Sequence, residues 1–135
     1  MTGSVYLAAG DTHLIVRPDG RLGYQPEPID ALYRPSADEL FTSIADNWRG
    51  RAIGVVLSGM GRDGAIGLLK LRTVGFKTIA QDQASSAVFG MPRAAAELNA
   101  ATDVLPLSGI GPFLCELLDR PRRASHARVP SSSGT

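Results

Sequence analysis

One stretch of the sequence, residues 53–71, restricts the fold more than any other. Its first part, 53–57, is a continuous apolar run, which is typical of a strand buried on both faces of a sheet. Three glycines then fall within six residues: Gly59, Gly61 and Gly64. The apolar spacing of residues 65–71 is helical. A strand, a tight glycine turn and a helix in this order predict a parallel α/β sheet with its site at the carboxyl ends of the strands.

The remainder of the chain alternates strands with helices, which predicts a mainly parallel sheet covered on both faces. The Pro18-Asp19-Gly20 turn predicts an antiparallel hairpin as the exception. The predicted strands cover residues 4–9, 13–17, 21–24, 53–57, 77–81 and 104–107. The predicted helices cover residues 37–49, 65–74, 91–98 and 110–118.

Two serines are expected to begin helices. Ser36 and Glu39 have the spacing of a capping box, in which the Ser36 hydroxyl accepts from the N–H of Glu39 and the Glu39 side chain reaches back. The helix after Ser36 carries an apolar face that includes Trp48. Ser108 is expected to cap the last helix.

Length and composition predict one domain over residues 1–119 and a disordered tail, 120–135, rich in Pro, Arg and Ser. The net charge of +1 favours neither nucleic acid nor a membrane surface as a partner. No apolar run reaches the roughly 18 residues of a membrane span, and the N-terminus lacks a signal-peptide pattern. The single cysteine, Cys115, permits no internal disulfide and fits a reducing compartment. We therefore expect a cytoplasmic protein without membrane insertion.

The three glycines also match a dinucleotide-binding fingerprint, Gly59-x-Gly61-x-x-Gly64. Asp82 follows at about the distance of a ribose-binding acid, roughly 20 residues on. Asp63, however, would direct a carboxylate into the turn that holds the pyrophosphate, and like charge there opposes phosphate binding. We therefore keep nucleotide binding only as an alternative and expect no nucleotide cofactor.

Asp63 itself has two interpretations. It fits the orienting acid of a Ser-His-Asp set, which sits in a turn, stays ionised and accepts from a histidine ring. It equally fits a helix cap for the helix that begins at Gly64, since Asp is frequent there. His13 reads as structural and His126 lies in the tail, so a self-contained site of Ser85, His13 and Asp63 has little support. The cysteine and histidines show no spacing of paired metal ligands, and we expect no metal.

Five stretches of the chain carry a family resemblance. They are VYLAAGDTHL at 5–14, YRPSADELF at 33–41, VVLSGMGRDGA at 55–65, TIAQD at 78–82 and ASSAVFGMPRAA at 84–95. They are similar to the bacterial chemotaxis protein-glutamate methylesterases of the CheB type, and the likeness covers residues 4–118. The resemblance implies a doubly wound α/β domain that hydrolyses glutamyl methyl esters on the cytoplasmic helices of chemoreceptors, in adaptation during chemotaxis.

The resemblance also implies roles for residues of the glycine turn. Asp63 matches the family's catalytic aspartate, which holds the histidine base, and Met60 matches a methionine on the oxyanion side. The implied active-site loop contains Gly59, Gly61, Gly64 and Met91.

The sequence departs from the family in two residues. The family's nucleophile stands in a Ser-Thr-Gly-Gly turn and its base is a histidine that follows a second strand, and this sequence contains neither. We therefore interpret the chain as the C-terminal two-thirds of a methylesterase domain, inactive alone. Lost strands would leave an exposed sheet edge, so self-association or binding of an upstream fragment is expected there. A non-catalytic receptor-binding or partner-binding remnant is the other interpretation.

Overall fold

The computed structural model describes residues 3–119, which form an α/β arrangement. Strands β1 and β2 make an antiparallel hairpin, and β3, β4 and β5 make a parallel sheet in that order. The elements are β1 (His13–Val16), β2 (Leu22–Gln25), α1 (Ala37–Asn47), β3 (Ile53–Val56), α2 (Ala65–Thr73), β4 (Lys77–Gln81), α3 (Met91–Glu97), β5 (Asp103–Leu105) and α4 (Leu107–Asp119). This architecture confirms the predicted fold class, including the hairpin.

The main core lies between the parallel sheet and the helices α2 and α3. Small side chains of α3 let that helix approach the sheet closely, and leucines of α2 fill the remaining space. The buried members of this core are Val56, Ala65, Leu68, Leu71, Ala80, Ala94, Ala95 and Ala100. In β4, Ala80 faces this core and Ile79 faces the other side of the sheet, and both are completely buried. The central strand is therefore covered on both faces.

Helix α1 joins the hairpin to the sheet layer. Its Ser43 hydroxyl accepts from the N–H of Val16 at 2.9 Å, and the Asn47 amide donates to the Val16 carbonyl at 2.8 Å. Its other side crosses α2 at Gly67, where an added Cβ would lie 2.7 Å from the Cβ of Phe41. The absence of a side chain at Gly67 is thus what allows the two helices to touch.

Two predictions about strands differ from the structure. Residues 4–9 form no strand; they are exposed, because no described strand pairs with them. Strand β3 pairs only with β4 among the described residues, so its edge is free and Ile53 and Val55 are only partly buried. The prediction of a strand buried on both faces is therefore wrong for β3, although it describes β4.

Two helix details also differ. Trp48 ends α1 with its side chain 41% exposed, because its indole N–H donates to the Arg51 carbonyl instead of packing in the core. Ser108 is not a cap, since α4 already begins at Leu107. Gly75 follows α2 with φ +102° and its N–H donates to the Arg72 carbonyl, as expected for a C-terminal glycine.

Among residues 3–119, no helix is both long and apolar enough to cross a membrane. The predicted tail, residues 120–135, lies outside the described residues.

Candidate functional site

The loop that follows β3 lies against the loop that follows β4. The N–H of Gly59 donates to the Val88 carbonyl at 2.9 Å, and the Gly59 carbonyl accepts from the N–H of Met91 at 2.9 Å. The Ser58 hydroxyl donates to Val88 and accepts from its N–H, at 3.2 and 3.0 Å. These bonds hold the two loops side by side at the carboxyl edge of the sheet, which is where parallel α/β domains place their sites.

The glycine turn is shaped by positive backbone angles and by close neighbours. Gly61 and Gly64 have φ values of +88° and +97°, which side chains oppose. An added Cβ at Gly61 would overlap the Tyr33 hydroxyl, and one at Gly59 would overlap the end of Met91. The structure therefore places the three predicted glycines, Gly59, Gly61 and Gly64, in one turn, with the fourth predicted loop residue, Met91, in contact with Gly59.

Asp63 extends from this turn to the beginning of α1. Its Oδ1 accepts from the Ser36 hydroxyl at 2.8 Å and from the N–H of Asp38 at 3.1 Å, and its Oδ2 accepts from the N–H of Ala37 at 2.6 Å. These N–H groups belong to the first turn of a helix, where donors have no partner within the helix and negative charge is favoured. Asp63 is thus a cap, but of α1 and not of its own helix α2.

Helix α2 receives its cap from α1 in return. The Asp38 Oδ1 accepts from the N–H of Gly64 at 3.0 Å and from that of Gly67 at 2.7 Å. The capping is therefore reciprocal: Asp63 caps α1, and Asp38 of α1 caps α2. We call His13, Ser36, Asp38 and Asp63 the acid support, since these four residues are linked by hydrogen bonds around the Asp63 carboxylate, partly through the backbone N–H groups of Ser36 and Asp38.

The carboxyl of Asp38 has a shifted pKa. Burial raises the pKa of the Asp38 carboxyl above its ordinary value. The N–H groups of Gly67 and Gly64 oppose that shift, whereas the neighbouring Asp63 carboxylate adds to it. Two carboxyl groups this close resist ionising together, and the helix N-termini offset that repulsion.

His13 is completely buried in β1 and contacts the backbone of Ser36. Its Nδ1 accepts from the backbone N–H of Ser36 at 3.0 Å, and its Nε2 lies 3.1 Å from the Pro28 carbonyl. Both ring nitrogens are therefore engaged. The Ser36 hydroxyl accepts from the N–H of Glu39 at 3.3 Å, which confirms the serine half of the capping box. His13 takes the place expected for the Glu39 side chain at the Ser36 N–H.

Ser85 belongs to a different group of residues. Its hydroxyl donates to the Asp82 carboxylate at 2.7 Å and accepts from the N–H of Leu107 at 2.9 Å. A site made of Ser85, His13 and Asp63 is therefore not assembled, because Ser85 bonds neither His13 nor Asp63. His13 and Asp63 both contact Ser36, but the ring meets its backbone N–H and the hydroxyl donates to Asp63, so the described residues place no histidine ring on a serine hydroxyl at Asp63.

The contacts of the glycine turn bear on the alternative of nucleotide binding. A phosphate at this turn would use the N–H groups at the start of α2, and those of Gly64 and Gly67 already donate to Asp38. Binding would have to displace one carboxylate next to another.

Met60 is 77% exposed at the tip of the turn. Arg62, two residues further on, lies 3.9 Å from the Glu97 carboxylate, which Arg93 also contacts at 3.1 Å. The turn thus presents an apolar side chain and one cation to solvent, and that cation shares its Glu97 partner with Arg93 of α3.

Sequence reasoning identified Asp63 but missed two of its partners. Ser36 was recognised as a helix cap without its bond to Asp63, and Asp38 was not singled out. The signal for Asp38 was weak: an acid in the first turn of a helix normally complements the dipole of its own helix.

Comparison with known proteins agrees with this fold. The CheB methylesterase family model matches residues 1–114. A protein-glutamate methylesterase/protein-glutamine glutaminase of Cupriavidus metallidurans is 59% identical over 112 residues, which are 83% of this chain and 33% of that protein. One of Mesorhizobium japonicum is 53% identical over 118 residues, 87% of this chain and 35% of that protein. The CheB methylesterase catalytic domain of Thermotoga maritima superposes with a TM-score of 0.75 at 34% identity, covering 83% of this chain and 61% of that one.

The parallel sheet and the antiparallel hairpin define an α/β domain. The chain belongs to the CheB methylesterase family. It spans about a third of the length of the curated relatives that it matches.

Proposed function

We propose that this chain supplies the acid side of a protein-glutamate methylesterase, which hydrolyses glutamyl methyl esters on the cytoplasmic helices of chemoreceptors. The observation that carries the proposal is the position of the Asp63 carboxylate. Asp63 lies in the turn that resembles the family's motif, and three donors at the start of α1 hold its carboxylate. A carboxylate accepts about four hydrogen bonds. Asp63 therefore keeps the capacity to hold a histidine N–H in addition to its present partners. A cytoplasmic location is part of this proposal.

In the proposed reaction, Asp63 orients a histidine that removes the proton of a serine hydroxyl. The serine oxygen attacks the ester carbonyl, the developing oxyanion is stabilised on the side of Met60, and the histidine returns the proton to methanol as it leaves. Water then cleaves the acyl-enzyme and yields the glutamate carboxylate. Gly59, Gly61, Gly64 and Met91 shape the loop that presents Asp63 and Met60.

The serine and the histidine come, in this proposal, from a segment other than residues 3–119. His13 is excluded as the base because both ring nitrogens have partners in the interior. Two features support docking of such a segment, and we call them the unpaired segments: residues 4–9 and the free edge of β3. Val5 and Leu7 are 88% and 81% exposed, and apolar side chains and free strand edges favour association.

The test of activity is methanol release from a methylated chemoreceptor fragment. We expect none above background from this chain alone, and release after addition of a segment that carries the family's Ser-Thr-Gly-Gly turn and histidine. Asp63→Asn should lower the reconstituted rate by about 10⁴-fold, as for orienting aspartates elsewhere. Turnover by the chain alone that Ser85→Ala abolishes would contradict the proposal. Receptor binding without hydrolysis in the reconstituted mixture would favour a non-catalytic binding module.

The docking part has its own test, sedimentation of the chain at increasing concentration. We expect self-association, or a one-to-one complex when the segment is added. A cooperatively folded monomer at high micromolar concentration that ignores the segment would show that the unpaired segments are covered in another way.

A further inference from the structure

We propose that His13 and Ser36 are positioning residues that set the orientation of the Asp63 carboxylate. The inference deepens the proposed function and rests on it only for its effect on catalysis. Neither side chain belongs to the glycine turn, and both lie more than twenty residues before Asp63. The proposal makes the hairpin strand β1 part of the site through a chain of hydrogen bonds that begins at the buried ring of His13.

The first step is the tautomer of His13, that is, which ring nitrogen carries the proton. The backbone N–H of Ser36 can only donate, so the Nδ1 that faces it at 3.0 Å must carry a lone pair. The proton of the neutral ring is then on Nε2, which donates to the Pro28 carbonyl at 3.1 Å. Since the ring is completely buried, this pair of bonds fixes its tautomer and its plane. The ring therefore holds the backbone of Ser36 in one place.

The second step is the hydroxyl of Ser36. Its oxygen accepts from the N–H of Glu39 at 3.3 Å, and its single proton is directed to the Asp63 Oδ1 at 2.8 Å. A helix cap needs only the acceptor role. The donor role is additional, and it fixes which carboxylate oxygen of Asp63 lies at the Ser36 hydroxyl. The Oδ2, whose described partner is the N–H of Ala37 at 2.6 Å, is then oriented as well.

The alternative is that Ser36 and His13 only stabilise the fold. The two roles predict different results at Asp63. A structural role lowers stability and leaves the Asp63 carboxylate where it is, because the N–H groups of Ala37 and Asp38 still hold it. A positioning role changes the surroundings of the Asp63 carboxylate in a protein that remains folded.

The test uses the complete 135-residue chain, with the ¹³Cγ resonance of Asp63 as its readout. Ser36→Gly removes the hydroxyl at little cost to the cap, since glycine is accepted at that position. We expect it to shift the Asp63 resonance, and we expect Ser36→Thr, which keeps the hydroxyl, to restore it. An unchanged resonance in folded Ser36→Gly would overturn the proposal.

A matched pair of variants tests His13. His13→Asn can present its oxygen where Nδ1 lies and so keep the acceptor for Ser36. His13→Gln places its amide where Nε2 lies and keeps only the donor to Pro28. Both remove a buried ring, so a general loss of packing should affect them alike. We expect the Asp63 resonance to move in His13→Gln and not in His13→Asn. Equal behaviour of the two folded variants would count against the role of His13.

A kinetic arm separates this inference from the proposed function. In the reconstituted assay, Ser36→Gly should lower kcat by about 10- to 100-fold, because a small misplacement of a catalytic group has that effect, with KM unchanged. Absence of hydrolysis in every preparation, with the resonance shifts as expected, would defeat the proposed function and leave the positioning role standing. Full activity of Ser36→Gly would overturn the positioning role and leave the proposed function standing.

Discussion

The acid support and the unpaired segments differ in how far the described residues satisfy their polar groups and cover their apolar side chains. In the acid support, each buried polar group has a partner, and the four side chains come from β1, the start of α1 and the glycine turn. In the unpaired segments, apolar side chains stand in solvent and a strand edge has no neighbour among the described residues. The contrast teaches that the described residues by themselves hold the Asp63 carboxylate in place, whereas they leave the apolar side chains of residues 4–9 uncovered.

The largest expected effect on stability comes from removing the Asp63 carboxylate, which tests whether the acid support is the better integrated of the two regions. Asp63→Ala takes the acceptor from three donors, including two N–H groups at a helix end, and should lower the free energy of unfolding by about 2 to 3 kcal/mol. Asp82→Ala is the matched control, since Asp82 also accepts two bonds, from Ser85, but in an exposed loop. It should lose about 0.5 to 1 kcal/mol. Equal losses in urea unfolding would mean that Asp63 is no better integrated than a loop residue.

The next effect concerns the helix crossing beneath the acid support. Gly67→Ala places a Cβ against Phe41 and the Asp38 backbone, so we expect a loss of about 2 kcal/mol from overpacking. Gly111→Ala in α4 is the control, because nothing lies within 4 Å of its added Cβ. The control should gain about 0.5 to 1 kcal/mol from helix propensity. Thermal unfolding of both variants measures the difference, and a stabilised Gly67→Ala would mean that the helices cross less closely.

A smaller effect is expected in the unpaired segments. Replacing Val5 and Leu7 by serine should change the free energy of unfolding of the isolated chain by no more than about 0.5 kcal/mol, because both side chains are already in solvent. Val16→Ser in the buried strand β1 is the control and should be clearly destabilising. Should the Val5 and Leu7 double variant lose as much as the control, residues 4–9 are covered in solution.

The smallest effect is a pH dependence that belongs to Asp38. Its pKa is raised in the folded state, so the folded protein binds this proton more tightly than the unfolded chain. Its contribution to stability is therefore complete below the ordinary pKa of Asp and is lost as the pH rises through the raised value. Relative to Asp38→Asn, the wild type should become less stable as the pH rises through that window. Chemical unfolding of both proteins between pH 3 and pH 7 tests the sign, and a difference that does not change with pH would contradict the shift.

The sequence predicted what depends on local pattern. The apolar runs of β3 and β4, the hairpin turn and the glycine after α2 lie where the periodicity and the turn residues put them. Residues 4–9 did not form the expected strand, because a strand needs a neighbour as well as apolar composition. The burial of β3 was overestimated for the same reason, since the pattern of a run does not show how many strands flank it.

The sequence predicted Asp63 as a candidate site residue, but it did not predict the hydrogen bonds that hold the Asp63 carboxylate. Asp63 stood out because the glycine turn resembles the family's motif, whereas its position in the turn alone also fitted a helix cap. That it caps α1 could not be read from the sequence, since Ser36, Asp38 and Asp63 come together only when α1 and α2 cross. His13 was interpreted as structural, and its contact with Ser36 gives that interpretation a particular partner.

The exchange of caps between Asp38 and Asp63 has a consequence for how the molecule opens. If α1 separates from α2, the N–H groups of Ala37 and Asp38 lose their acceptor in the same event as those of Gly64 and Gly67. The first turns of two helices, far apart in the sequence, therefore form one cooperative unit. Their amide protons should exchange with solvent at a common opening free energy, and the acid should be released only when both turns fray together.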